Sequence, residues 1–246
     1  MWLGRRVIVV VPAWQEAPRI ARVLGGIPAC ADTIVVVDDG STDGTADVAR
    51  GCSDPRVDVV RHARNRGVGA AIATGYRRAL AMAGGPRDAF AVMAGDGQMD
   101  PRDLVTVLEP IVRGEADYVK GNRFRWRGVV RTMPLARLLG GIAFSWATAR
   151  AIGVEISDSQ CGYTAIARDA CARLDLDALW PRYGYPNDLL SQLALRGSRI
   201  AEVQVRAVYA DEVSRLKVRH VPVVAAIVAR AWARRMWQRL SPARAR

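Results

Sequence analysis

Residues 7–11 are an unbroken apolar run, mostly Val, closed by Pro12, the pattern of a strand buried on both faces of a parallel sheet. Residues 17–27 follow with helical spacing and Pro18 in the first turn. The same alternation then repeats. Strands are predicted at 34–37, 57–60 and 90–93, with helices at 45–50 and, Ala-rich, at 70–83. Short connections between alternating strands and helices predict an α/β fold with a mostly parallel sheet flanked by helices, Rossmann-like in its first half. Ligands of such sheets sit beyond the carboxyl ends of the strands. Polar clusters follow Val11, Val37 and Met93, so three separate segments should converge on one edge.

The second half is less periodic. A strand is predicted at 118–121, a helix with an apolar face at 134–152 and a strand at 201–208. From 220 to 240, Val221, Ala225, Val228, Trp232, Met236 and Leu240 fall at helical spacing, with Arg230, Arg234, Arg235 and Arg239 elsewhere around the helix. We therefore divide the chain into one domain over 1–218 and a basic amphipathic helix and tail over 219–246. The nearest approach to a membrane span, 138–149, falls short of the roughly 18–20 apolar residues required. The helices at 134–152 and 220–240 suit the lipid interface instead, with tryptophans at head-group depth and arginines on anionic lipid. A core-facing helix and a solvated charged face are the alternatives.

The chain has 246 residues, half of them hydrophobic, enough for one substantial core. Its net charge of +12 points to a polyanionic partner: nucleic acid, anionic head groups or a phosphate-bearing substrate. No zinc-finger, recognition-helix or aromatic RNA-binding motif accompanies the charge, so nucleic acid is not expected. The four cysteines form no CxxC pair and share the chain with two histidines, which argues against zinc and a disulfide framework and for a reduced, cytoplasmic compartment. The first residues lack the apolar region and cleavage site of a signal peptide.

Three clusters carry candidate chemistry. In Asp38-Asp39-Gly40-Ser41-Thr42-Asp43-Gly44, two carboxylates at a strand end suit a ribose or a ring N–H. A calcium loop would need a bidentate Glu at its twelfth position, which is Arg50, so that reading fails; a turn and helix N-cap stays open. Asn65-Arg66-Gly67-Val68-Gly69-Ala70-Ala71 resembles a truncated dinucleotide fingerprint, with Ile72 in place of the third glycine. A tight turn with close packing is favoured there over phosphate contact. In Gly95-Asp96-Gly97-Gln98-Met99-Asp100-Pro101, a carboxylate and an amide oxygen two residues apart can face one divalent cation that shares its shell with phosphates; a simple turn is the alternative.

Taken in order, Val-Pro-Ala-Trp-Gln-Glu at 11–16, the cluster at 36–45, Asn65-Arg66-Gly67-Val68-Gly69 and Gly95-Asp96-Gly97-Gln98 resemble glycosyltransferase family 2. Gly121-Asn122-Arg123-Phe124, Asp158-Ser159-Gln160-Cys161-Gly162-Tyr163 and the stretch through Glu212 and Ser214-Arg215 resemble its dolichyl- and polyprenyl-phosphate sugar transferases. The resemblance covers about 7–217. It implies a GT-A fold, a UDP- or GDP-sugar donor, Mg²⁺ or Mn²⁺, inversion at the anomeric carbon, a polyprenyl-phosphate acceptor, and a peripheral seat on the inner face of the cytoplasmic membrane. By matching position, Pro12, Trp14, Glu16, Asp38, Asp39 and Gly95 would hold the nucleotide, Asp96 and Gln98 the metal and diphosphate, and Arg123, Arg206, Arg215 and Lys217 the phosphates. Two positions depart from the usual pattern: Ala94 replaces the first acid of Asp-x-Asp-Gly-Gln, and Gln15 stands where Asn is usual.

A phosphate monoester, with a second pKa near ~6, is already nucleophilic at neutral pH, so the enzyme must supply alignment and cationic stabilisation of the departing diphosphate. A hydroxyl acceptor would need a general base, for which Asp158 and Asp188 are the candidates. A family 2 transferase acting on a hydroxyl, and a nucleotidyltransferase with a similar acidic edge, are the competing functions. A transferase degenerated into a binding module, prompted by Ala94, is a third.

Overall fold

The computed structural model describes residues 1–206, 208 and 221–240. Seven strands form one sheet: β1 (Val7–Ala13), β2 (Thr33–Asp38), β3 (Val57–Arg61), β4 (Ala89–Val92), β5 (Tyr118–Asn122), β6 (Thr164–Ala167) and β7 (Ile200–Gln204). Their spatial order is β3-β2-β1-β4-β6-β5-β7. Pairing is parallel except at β6, which runs against both β4 and β5. The mostly parallel sheet is therefore as expected, with one reversed strand that the sequence pattern did not reveal.

Every residue of β1 is buried, because helices cover both faces of the sheet and leave no side for polar residues. The helices are α1 (Ala17–Gly25), α2 (Thr45–Arg50), α3 (Val68–Met82), α4 (Leu104–Val112), α5 (Val129–Thr132), α6 (Leu135–Ile152), α7 (Arg168–Ala172), α8 (Tyr185–Leu195) and α9 (Val221–Leu240). In α1, Pro18 occupies the first turn and Ile20, Val23 and Leu24 are the buried stripe. In α3 the buried face includes Gly69, Ala71, Ala73, Gly75 and Ala79, small residues that let the helix lie close on β1 and β2.

α9 is seated on the domain rather than held apart from it. Val224, Ile227 and Ala231 are buried where it packs against α6 and α8. The division read at 218/219 lies outside the described residues, as do Arg215 and Lys217. The strand expected at 201–208 is shorter, ending at Gln204.

At Gly75 an added Cβ would overlap Val10 Cγ1 in the middle of β1, where neighbouring strands leave the valine nowhere to move. We expect Gly75→Ala to destabilise the fold by about 1–3 kcal/mol in urea denaturation, despite the better helix propensity of alanine.

Candidate active site

The topology decides which segments meet. β1, β2, β3, β4, β5 and β7 all point the same way, so their carboxyl ends share one edge. Because β6 is reversed, the loop that enters it, 158–163, arrives at that edge too. The three clusters predicted to converge do so. The Asp39 N–H donates to Ala13 O at 2.8 Å and the Gly95 N–H to Pro12 O at 3.0 Å, joining the ends of β1, β2 and β4. The fit at Gly95 is close: a Cβ there would come within 3.1 Å of both Ala13 Cβ and Ile20 Cδ1.

Beyond β1 the chain turns at Gln15, whose φ of +56° is left-handed. The turn is fastened by Ser41 Oγ, which accepts the Gln15 N–H at 2.9 Å, and by the Gln15 amide donating to Thr42 Oγ1 at 2.9 Å. It leaves Trp14 41% exposed and Glu16 buried. The Glu16 carboxylate accepts from Arg19 at 3.0 Å, and its N–H donates to Thr45 Oγ1 at 2.9 Å. The Gln15 departure thus falls on a backbone position that Asn, which tolerates this region better, suits more readily.

Asp38, at the end of β2, accepts the Ser41 N–H at 3.2 Å on Oδ1. Its Oδ2 is buried with no hydrogen-bond partner, and Arg61 Nε, 3.2 Å away, supplies charge alone. Asp39 has both oxygens engaged. Oδ1 meets His62 Nδ1 at 2.7 Å and the Arg66 N–H at 2.9 Å; Oδ2 accepts the Gly67 N–H at 2.7 Å. This carboxylate therefore holds the glycine loop in place, and the loop in turn packs on the backbone of residues 180–182. Gly67, at φ +101°, and Gly69 have no room for a Cβ against Pro181 O and Trp180 O. Close packing, the favoured reading of these glycines, is what they provide.

On the loop after β4, Asp96 and Gln98 are half-buried, and Asp96 Oδ1 accepts the Gln98 N–H at 3.0 Å. Arg206 is drawn to this loop by two buried carboxylates. Its N–H donates to Asp103 at 2.6 Å and its guanidinium to Asp100 at 3.1 Å. Hydrogen bonds from Arg102 hold the Asp100 carboxyl well below the usual carboxylate range, against the opposing effect of burial. Tyr163 Oη donates to Asp100 O at 3.2 Å, tying the 158–163 loop to the same place.

Arg123 and Asp158 meet as a two-pronged pair, Nε–Oδ2 at 2.8 Å and Nη2–Oδ1 at 2.9 Å. The Asp158 side chain is fully buried and also accepts the Cys161 N–H at 3.1 Å. Burial raises its pKa, but the charge and hydrogen bonds of Arg123, with Lys120 nearby, more than offset this and hold it below its ordinary value. Asp188 is likewise engaged at both oxygens: Arg230 at 2.7 Å and Arg234 at 3.2 Å on Oδ1, and the Trp180 N–H at 2.9 Å on Oδ2.

Three residues were not foreseen. His62, directly after β3, orients Asp39 and hydrogen-bonds Thr74 Oγ1 at 2.9 Å through Nε2. Its position at a strand end, in a chain with two histidines, was the available signal. Lys120 is wholly buried, its ammonium donating to Cys161 O at 2.5 Å and its pKa lowered by burial. Glu202 accepts the Ser157 and Asp158 N–H groups, both at 2.9 Å. Inside strands read as apolar, neither Lys120 nor Glu202 carried a pattern that marked it.

Comparison with known proteins agrees with this architecture. Residues 8–175 match the family model described as Glycosyl transferase family 2. The undecaprenyl-phosphate mannosyltransferase of Micrococcus luteus is 31% identical over 205 residues, covering 81% of this chain and 82% of its own. The UDP-N-acetylglucosamine–dolichyl-phosphate N-acetylglucosaminyltransferase of Methanococcus voltae is 26% identical over 220 residues, covering 83% and 86%. Among solved structures, glucosyl-3-phosphoglycerate synthase of Mycobacterium tuberculosis with Mn²⁺, UDP and glucosyl-3-phosphoglycerate superposes with a TM-score of 0.66 at 22% identity, over 94% of this chain and 81% of that one. The expected GT-A fold is thereby established.

Replacing Asp158 by Asn would leave the Arg123 guanidinium mostly buried without its anion. We expect a loss on the order of 3 kcal/mol at pH 7. A carboxyl with a depressed folded-state pKa stabilises above its unfolded value near ~4 and stops doing so as pH falls through the folded value. The gap between wild type and Asp158→Asn in chemical denaturation should therefore be full at neutrality and close only below about pH 4.

Proposed function

Because the chain belongs to glycosyl transferase family 2, we propose that it transfers a sugar from a UDP- or GDP-activated donor to a polyprenyl phosphate. The observation that supports this acceptor most is the state of the two carboxylates considered as bases. Asp158 and Asp188 are both buried, and each has both oxygens engaged by arginine or backbone N–H groups, so neither presents an oxygen to an acceptor hydroxyl. A phosphate acceptor needs no such help. Relatives named for undecaprenyl and dolichyl phosphate agree with it.

In the proposed reaction an acceptor phosphate oxygen forms a bond to the anomeric carbon from one side. The bond from that carbon to the β-phosphate oxygen breaks on the other, and the nucleoside diphosphate leaves with the electron pair. Trp14, exposed beyond β1, would lie against the nucleotide, with buried Asp38 and Asp39 shaping the edge beside it and Asp39 holding the glycine loop. Arg206, 41% exposed and pre-aligned by Asp100 and Asp103, offers its guanidinium to the departing diphosphate. Arg123 offers the acceptor phosphate a guanidinium already locked in place by Asp158.

Asp96 and Gln98 fit a hard divalent cation in donor type, since both supply oxygen. Among the described residues no group of three His, Cys, Asp or Glu side chains gathers to hold one, so diphosphate and water would complete the shell, as Mg²⁺ commonly requires. When bound, such a cation neutralises charge on the leaving diphosphate. Ala94 removes one carboxylate from this neighbourhood.

The same reading seats the protein peripherally on the cytoplasmic face of the membrane. Leu135, Leu139, Ile142 and Trp146 are exposed along one face of α6, and Trp232, Trp237 and Leu240 are exposed on α9. Neither helix contains an acidic residue. Among the described residues no helix is long and apolar enough to cross a membrane. Apolar anchors beside arginines, on helices that contain no acidic residue, suit an anionic bilayer surface.

Incubation with UDP- and GDP-sugars, a polyprenyl phosphate and Mn²⁺ should give a glycosyl phospholipid detectable by mass spectrometry. Asp96→Ala should lower its formation at least ~100-fold, and Ala94→Asp should lower the Mn²⁺ concentration needed for half-maximal rate. Product on a hydroxyl acceptor alone would refute the acceptor assignment. Binding to phosphatidylglycerol vesicles should exceed binding to phosphatidylcholine vesicles and fall in Trp146→Ser/Trp232→Ser; equal sedimentation with both lipids would refute the interfacial seat.

A further inference from the structure

Asp188 sits in the first turn of α8, 1% exposed, between two parts of the molecule far apart in sequence. On one side are Arg230 and Arg234, one turn apart on α9, both directed at Oδ1. On the other is the Trp180 N–H, at Oδ2. The Arg230 guanidinium also lies 5.9 Å from the centre of the Trp180 ring, so the arginine and the indole are held together. Ile227 of α9 packs on Gly184, the residue before α8, where the backbone is left-handed and a Cβ would not fit.

From Trp180 the contacts continue without a gap. Pro181 O accepts the Ala70 N–H at 3.1 Å, Trp180 O abuts Gly69, and Arg182 reaches Asn65 Oδ1 at 3.4 Å. The next residues, Arg66 and Gly67, donate their N–H groups to Asp39 at the carboxyl end of β2. The outer face of α9 carries exposed Trp232 and Trp237. An unbroken series of hydrogen bonds and close contacts thus runs from a helix with exposed anchors to the donor edge of the sheet.

We infer that Asp188 is a positioning residue through which the seating of α9 fixes the 65–70 loop and, with it, the nucleotide half of the site. It acts through Trp180 and Pro181 rather than on substrate, in contrast to the base role considered from sequence. The significance for nucleotide binding rests on the proposed transferase reading; the mechanical link to the loop does not. The buried apolar contacts of Val224, Ile227 and Ala231 remain when the charge at position 188 is removed, so α9 stays docked but loses its fixed register against the 180–182 segment.

The test uses the full chain with Asp188→Asn, Asp188→Glu and, as a control for general destabilisation, Leu190→Ala in the same helix. Hydrogen exchange is followed at the Arg66, Gly67 and Ala70 amides, and UDP and GDP binding is measured calorimetrically with Mn²⁺. Asp188→Asn should speed exchange at those amides about threefold to tenfold beyond the control and weaken nucleotide binding by a similar factor. The donor KM should rise while the acceptor KM stays level, and Asp188→Glu should recover part of the effect. Exchange at 66–70 no faster than in a control of equal thermal stability would overturn the inference. If wild type binds neither nucleotide, the transferase reading fails, and amide exchange still decides the coupling.

Discussion

β6 runs against both of its neighbours, and that reversal brings the 158–163 loop to the edge formed by the carboxyl ends of the other six strands. Were β6 parallel to β4, residues 158–163 would enter the sheet at the opposite end, and Asp158 would not meet Arg123 at the carboxyl end of β5. The strand is only four residues long and wholly buried, so its direction is fixed by ladders on both sides rather than by its own propensity. Tyr163, immediately before it, ties the arriving loop to Asp100, and Asp100 holds Arg206. One strand direction therefore aligns two arginines on a single edge.

These arginines are not free cations waiting for phosphate. Arg123 is locked by Asp158, and Arg206 by Asp100 and Asp103. Such pairs gain little stability over apolar packing, because taking charges out of water costs about as much as their attraction returns. What they provide is orientation. A planar guanidinium fixed on one side by a carboxylate presents its remaining N–H groups without having to reorganise when charge develops on a diphosphate. Arginine is thus used in at least two ways: aligned by buried carboxylates at the sheet edge, and carried at the surface on helices that contain no acidic residue.

The parts that were legible in the sequence are those where one physical cause dominates. Strands buried on both faces read as apolar runs, so β1, β2, β3 and β4 were found to within two residues at each end, and with them the edge on which the three polar clusters meet. β6 was missed because Thr-Ala-Ile-Ala is short and equally consistent with a helix segment, and α8 because its buried face includes Asn187, Asp188, Ser191 and Gln192. Positions at the site were readable, but partners were not. Nothing near Asp188 in sequence announces Arg230, 42 residues on, and nothing near Asp39 says that both its oxygens are claimed by the chain's own amides and imidazole. Partnerships across the fold depend on topology, which composition and spacing do not encode.

Gln15 illustrates how a departure from a family pattern acquires a physical meaning only in three dimensions. A left-handed backbone on a residue with a full side chain costs of the order of 1–3 kcal/mol and persists only where the surroundings impose it. Here Ser41 imposes it by accepting the Gln15 N–H, and Thr42 by two hydrogen bonds with the Gln15 side-chain amide. The turn separates Trp14, exposed at the edge, from Glu16, buried beneath it. Relaxing it would draw the chain back into an extended path, on which the side chains of residues 14 and 16 fall on the same face and 15 on the other. The indole and the carboxylate could not then occupy their different environments, so the strain at one residue is the condition for the shape of the sheet edge beyond β1.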